Sequence, residues 1–126
     1  MARIIEEGTY RTYYYKIGVG MLGNYTAYIS IPEDTLRKFK DKIEDRVHGG
    51  LTWCANGSGA FPDGMKVDQA HRVVGWDYLH NDDCRDVGKW TLESNWTREQ
   101  VREDIKCVLT DIETMEFRDK NGLEQL

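Results

Sequence analysis

Apolar and polar positions alternate from Tyr10 to Met21. Tyr13, Tyr15, Ile17, Val19 and Met21 fall on one face, and Thr12, Tyr14, Lys16, Gly18 and Gly20 on the other. Gly23-Asn24 supplies residues that tolerate positive φ, and Tyr25, Ala27, Ile29 and Ile31 then form a second period-two stripe, which together predict a β-hairpin. Pro32 suits a first helical position, with Glu33 and Asp34 favourable near a helix N-terminus. Leu36, Phe39 and Ile43 recur at helical spacing, so a helix is predicted from Pro32 to Glu44. Val47–Trp53 and His71–Leu79 read as two further strands. Between them Ala55–Gln69 reads as a long Gly-rich loop, and a short strand is predicted around Lys89–Leu92.

A second helix has a defined start. Thr97 and Gln100 match a capping box, and Trp96 is placed to staple onto Val101. Val101, Ile105, Val108, Leu109, Ile112 and Met115 make one apolar stripe ending near Glu116, after which Asp119–Leu126 reads as a frayed tail. The order of elements predicts one α+β domain over residues 1–126, an antiparallel or mixed sheet of four to six strands with two helices packed on it.

Composition changes the picture in three ways. Lys and Arg number 17 against 22 Asp and Glu, giving a net charge of −5 and arguing against a nucleic-acid polymer as direct partner. Cys54, Cys84 and Cys107 are odd in number and widely spaced, unlike a disulfide framework. The first residues lack the apolar core of a signal peptide and no stretch is apolar enough to span a membrane, so the expected compartment is cytoplasmic. Seven Tyr and four Trp exceed what one helix-covered face would bury, which predicts a homodimer or larger closed oligomer.

Candidate chemistry is concentrated between His48 and Asp86, which contain all three His, two of the three Cys and six Asp. A zinc site would draw on His80 and Cys84, with Cys54 and His48 or His71; the ligand types suit zinc, but the spacings match no standard site. A nucleophilic site would pair Cys54 with a His oriented by Asp77, although no protease-like signature surrounds it. Gly49 and Gly50 in a predicted strand point either to a close backbone approach by a ligand or to a bulge under packed rings. No cofactor motif is present: Gly57, Gly59 and Gly64 are not followed by a Gly-Lys-Ser/Thr phosphate loop.

His48-Gly49-Gly50-Leu51-Thr52-Trp53, followed by Gly75-Trp76-Asp77-x-x-His80-x-x-Asp83, resembles a family of small phage and prophage proteins. Its members read His-Gly-Gly-Leu-Thr-Tyr and then Gly-Phe-Asp-x-x-His-x-x-Asp, so Trp53 and Trp76 keep the aromatic character while changing the residue. The resemblance implies an accessory protein acting in the host cytoplasm, where it counters host defence by binding. Its implied ligand site is His48, Gly49, Gly50, Thr52, Trp53, Trp76, Asp77, His80 and Asp83. Asp77, His80 and Asp83 would read hydroxyls or base edges, a Trp would stack, and the Gly-Gly backbone would approach a phosphate. Three functions follow: sequestration of a small nucleotide-like ligand, inhibition of a host defence protein in the manner of an anti-CRISPR, or hydrolysis by the His/Asp/Cys cluster. Binding without catalysis is the favoured expectation, with His48, Asp77, His80 and Asp83 converging on one concave site.

Overall fold

The computed structural model describes residues 2–79, 84–85, 93–94 and 96–125. Strands β1 (Arg3–Tyr10), β2 (Tyr13–Val19) and β3 (Tyr25–Pro32) lead into helix α1 (Glu33–Arg46). Then come β4 (Trp53–Ser58), β5 (His71–Asp77), the two-residue strands β6 (Cys84–Arg85) and β7 (Glu93–Ser94), and helix α2 (Arg98–Lys120). The first five strands form one antiparallel sheet in the order β1-β2-β3-β5-β4, and β6 pairs with β7. The chain is therefore an α+β fold, as the periodicities predict.

The alternation read from the sequence decides the faces. Tyr13, Tyr15, Ile17, Ala27, Ile29, Ile31, Val74 and Trp76 meet Leu36 and Ile43 of α1, and Val101, Ile105, Val108, Leu109 and Ile112 of α2, in one buried core. The capping box at Thr97 is formed in both directions: Thr97 Oγ1 accepts from the Gln100 amide at 3.1 Å, and Gln100 Oε1 accepts from the Thr97 amide at 2.9 Å. Trp96 packs at the margin of this core.

The opposite face has its own cover. Tyr28 and Val73 pack there against Phe61, with Ala2, Ile4, Tyr14, Trp53 and Val67 around them. Phe61 and Val67 come from residues 59–70, which fold back as a small loop: Ala60 bridges Lys66, and the Val67 amide donates to the Gly59 carbonyl at 3.0 Å. Lys16, only 1% exposed, holds this loop down. Its ammonium bonds Asp63 at 2.5 Å and Glu7 at 3.0 Å, and lies 5.0 Å from the centre of the Phe61 ring. Burial alone lowers the pKa of this lysine, but the bonds to Asp63 and Glu7 outweigh it and the net shift is upward. The aromatic surplus that led to the expectation of an oligomer is thus partly housed within one chain, since Tyr14, Tyr28 and Trp53 belong to this second cluster.

Several boundaries differ from the sequence reading. Arg3–Tyr10, left unassigned, is edge strand β1, bound to β2 with a bulge between Ile4 and Glu6. Met21 does not continue β2 but sits in the turn to β3, 89% exposed. The strand expected at Val47–Trp53 starts only at Trp53 and runs into the expected loop, to Ser58. Helix α2 continues through Lys120, and the residues beyond it double back: the Leu123 amide donates to the Arg118 carbonyl at 2.7 Å, and Gln125 Nε2 to the Met115 carbonyl at 3.1 Å. These bonds tie down residues expected to fray. The strand expected at Lys89–Leu92 falls outside the described residues.

Candidate functional site at one end of the sheet

The two halves of the motif lie side by side. The Thr52 amide donates to the Gly75 carbonyl at 3.0 Å, and Trp53 stands opposite Gly75 in the β4–β5 register. One turn earlier, the His48 imidazole stacks on Tyr78, with ring centres 4.9 Å apart and an interplanar angle of 16°. Trp96 closes the group, 5.0 Å from His48 and 4.7 Å from Tyr78.

His48, Gly49 and Gly50 are placed by the end of α1 rather than by a strand. The Val47 amide donates to the Ile43 carbonyl, and the Gly50 amide to the Val47 carbonyl at 3.2 Å, turning the chain out of the helix. Gly49 and Gly50 have φ of 70° and 85°, which side chains with a Cβ rarely adopt. A Cβ on Gly50 would also stand 2.7 Å from Glu44 Oε1. That carboxylate oxygen accepts from the Leu51 amide at 3.2 Å. The two glycines therefore form the turn that follows the extended helix cap at Val47, and they are not part of the strand expected from the sequence.

Tyr78 is the fixed point of the region. It is fully buried, and its hydroxyl accepts from the Trp76 indole N–H at 3.0 Å while donating to Asp104 Oδ2 at 2.7 Å. Arg46, at the end of α1, lies 4.0 Å from Asp104 and bonds Asp111, so α1, β5 and α2 are joined by one polar chain. Trp76 is 1% exposed and belongs to the core, so its ring offers no face to a ligand. Trp53 is on the other side of the sheet, edge-on to Tyr28 with ring centres 5.3 Å apart. Gly75 makes room for that contact, because a Cβ there would stand 2.6 Å from the Tyr28 ring.

Asp77, the last residue of β5, follows the parity of Val73 and Gly75 and so belongs to the loop-covered face. Its Oδ1 accepts from the Leu79 amide at 3.1 Å, an Asx-type turn that ends the strand. His48 packs on Tyr78, on the helix side. The sheet therefore brings His48 and Asp77 to the same end but to opposite faces, and the single cavity expected from them is not formed by these two residues. Thr52, the residue before β4, is exposed. His80 and Asp83 lie outside the described residues.

Other chemistry can be placed as well. Cys54 is exposed, with φ of 46° in the bulged part of β4. Among the described residues no three His, Cys, Asp or Glu side chains gather as metal ligands; the zinc reading also drew on His80 and Cys84, whose side chains are outside that set. Sequence reasoning missed Tyr78 and Asp104. The only signal available was an aromatic residue two positions after Trp76 and an acid, Asp104, three residues after Val101 and so beside the apolar stripe of α2. Comparison with protein-family profiles, curated proteins and solved structures finds no match.

Proposed function

We propose that this chain is a phage-type accessory protein that sequesters a small nucleotide-like ligand, without cleaving it, at the sheet end where the two motif halves meet. The observation that carries this reading is their juxtaposition: His48 on Tyr78, and Thr52 on Gly75, though the two segments are far apart in sequence. Behind them, the Trp76–Tyr78–Asp104 bonds hold a rigid base, and rigidity lowers the entropic cost of binding. His48 would contact the ligand from the helix side and Asp77 around the strand end. Thr52 would add a hydroxyl, the resemblance implies His80 and Asp83 as further partners, and sequestration in the host cytoplasm would deny a defence system its nucleotide signal.

A screen of cyclic and linear nucleotides for thermal stabilisation tests this. A binding nucleotide should be recovered unchanged after heat release, and His48→Ala and Asp77→Asn should each abolish the shift. No stabilisation by any nucleotide would sink the reading, and turnover of the bound one would overturn its non-catalytic half.

A second reading, inhibition of a host defence protein, is favoured by one feature. Met21 and Leu22, 89% and 56% exposed, sit on a hairpin tip braced by Gly20 and Asn24, whose backbones bond at 2.7 Å. Adjacent apolar side chains on a rigid tip suit a pocket in a protein partner. A host protein retained by the wild type and lost with Met21→Asp would select this reading.

A further inference from the structure

We infer a second ligand site on the loop-covered face, at the opposite end of β5 from Asp77, built to hold a small phosphate ester of a hydroxylated compound, the sugar-phosphate class. A groove of about 310 Å³ opens there. Tyr14 and Ser30, paired across β2 and β3, line its floor; His71 forms one wall, and Phe61, Lys66 and Asp68 of the loop form the other. This volume is at the lower end of the range for small-molecule sites. A second groove shares Lys66, Val67 and Asp68 with it and reaches Arg72.

Polar groups without partners among the described residues lie beside this groove, as Thr26 Oγ1 does at the Asp77 end of the same face. On the helix side, Tyr10, Tyr13, Tyr15 and Tyr78 all place their hydroxyls in hydrogen bonds, to Thr110, Glu116, Glu6 and Asp104. Ser30 is only 5% exposed, yet its hydroxyl has no hydrogen-bond partner among the described residues. The hydroxyl of half-buried Tyr14 also has no partner among the described residues, and His71 Nδ1 is buried without one. A buried polar side chain without a partner is unfavourable, so Ser30 and His71 beside one groove mark a place where partners arrive from outside.

The residue types define the ligand. Lys66 makes no ion pair among the described residues and supplies a positive charge at the rim, while Ser30 and Tyr14 can donate to phosphate oxygens. The Asp68 carboxylate can accept from sugar hydroxyls, and the Phe61 and Tyr14 rings, edge to face at 5.8 Å, give an apolar wall for the carbon skeleton. Bare inorganic phosphate would use only the first half of this set. The groove is also built rather than incidental: its loop wall is pinned by the Lys16–Asp63 pair, and its other end by the His71 amide donating to the Asp68 carbonyl at 2.9 Å.

The test is a titration of isotope-labelled protein with ribose 5-phosphate, ribose and inorganic phosphate, followed by amide NMR. Saturable shifts are expected at Ser30, Lys66, Asp68 and His71, strongest with ribose 5-phosphate. Lys66→Met and Ser30→Ala should each weaken binding by about tenfold, the size of one lost charge-assisted bond, with little change in melting temperature. No saturable shift at millimolar ribose 5-phosphate, shifts confined to the His48 end, or unchanged affinity in Lys66→Met would each overturn the proposal. Because shifts at His48 and at His71 are read in one spectrum, failure here is separable from failure of the sheet-end site.

Discussion

On the helix side of the sheet, Ile17, Ile29, Ile31 and Val74 are fully buried under two amphipathic helices whose apolar stripes are visible in the sequence. On the other side a twelve-residue loop does the covering with one buried aromatic, Phe61, and with Lys16 bound to Asp63 and Glu7. The first face is closed by area removed from water, which is additive and hard to displace. The second is closed by a plug and an ion-pair clasp, in which a few groups decide the outcome. Stability should therefore reside mainly on the first face, leaving the second free to carry polar groups that the fold does not use.

Substitutions can break or sharpen that contrast. Leu109→Ala, at the centre of the helix side, should lose about 2–5 kcal/mol in denaturant unfolding, since a packed core collapses poorly around a cavity. Phe61→Ala removes a larger side chain but should cost less, about 2 kcal/mol, because the loop can settle onto the sheet. Equal losses from the two would erase the distinction.

Glu6 gives the next effect. It ties β1 to α2 through Arg98 at 2.7 Å and Arg102 at 2.6 Å, and the hydrogen bond from Arg102, offset in part by burial, holds its carboxyl at about 2 against an ordinary 4.5. A depressed carboxylate stabilises the fold fully above pH 4.5 and loses that contribution as the pH falls towards 2. Glu6→Gln should thus cost about 1–2 kcal/mol at neutral pH and flatten the acid limb of the stability profile. An unchanged acid limb would show that the clamp adds nothing.

The smallest shift is expected from Lys16→Met, within about 1 kcal/mol of the wild type in either direction. An apolar replacement of a buried ion is often neutral, and the Glu7 and Asp63 carboxylates left behind are 54% and 36% exposed, so water can reach them. Yet loop amides at 59–70 should exchange with solvent faster once the clasp is gone, which hydrogen exchange would detect.

The fold was legible where periodicity and local chemistry agree. The β2–β3 alternation, the Thr97–Gln100 box and the α2 stripe each set an element and its buried face. The site was less legible, because the same residues serve two grammars. Gly49 and Gly50 suit a ligand-approaching strand, but after an amphipathic run ending at Arg46 they equally suit the turn beyond a helix, and their positive φ after the extended cap at Val47 shows the second. Trp76 and Asp77 are adjacent in sequence and read as one site, yet a strand sends neighbours to opposite faces, so they part. Ser30 carries no signal and His71 enters only as an alternative zinc ligand, since a groove made by a folded-back loop has no sequence period.

The strand order has a kinetic consequence. Strands β1 to β3 form a meander of neighbours in the chain, whereas β5 pairs Val74 with Ile29 only after α1, β4 and the loop have been traversed. Closing so long a stretch is entropically slow, while hairpins form within microseconds. The meander can thus exist as an early template, and the insertion of β5 between β3 and β4 becomes the committing event. Both ends of that one strand border the regions assigned here to ligands, so neither site can exist before the chain has passed its slowest step.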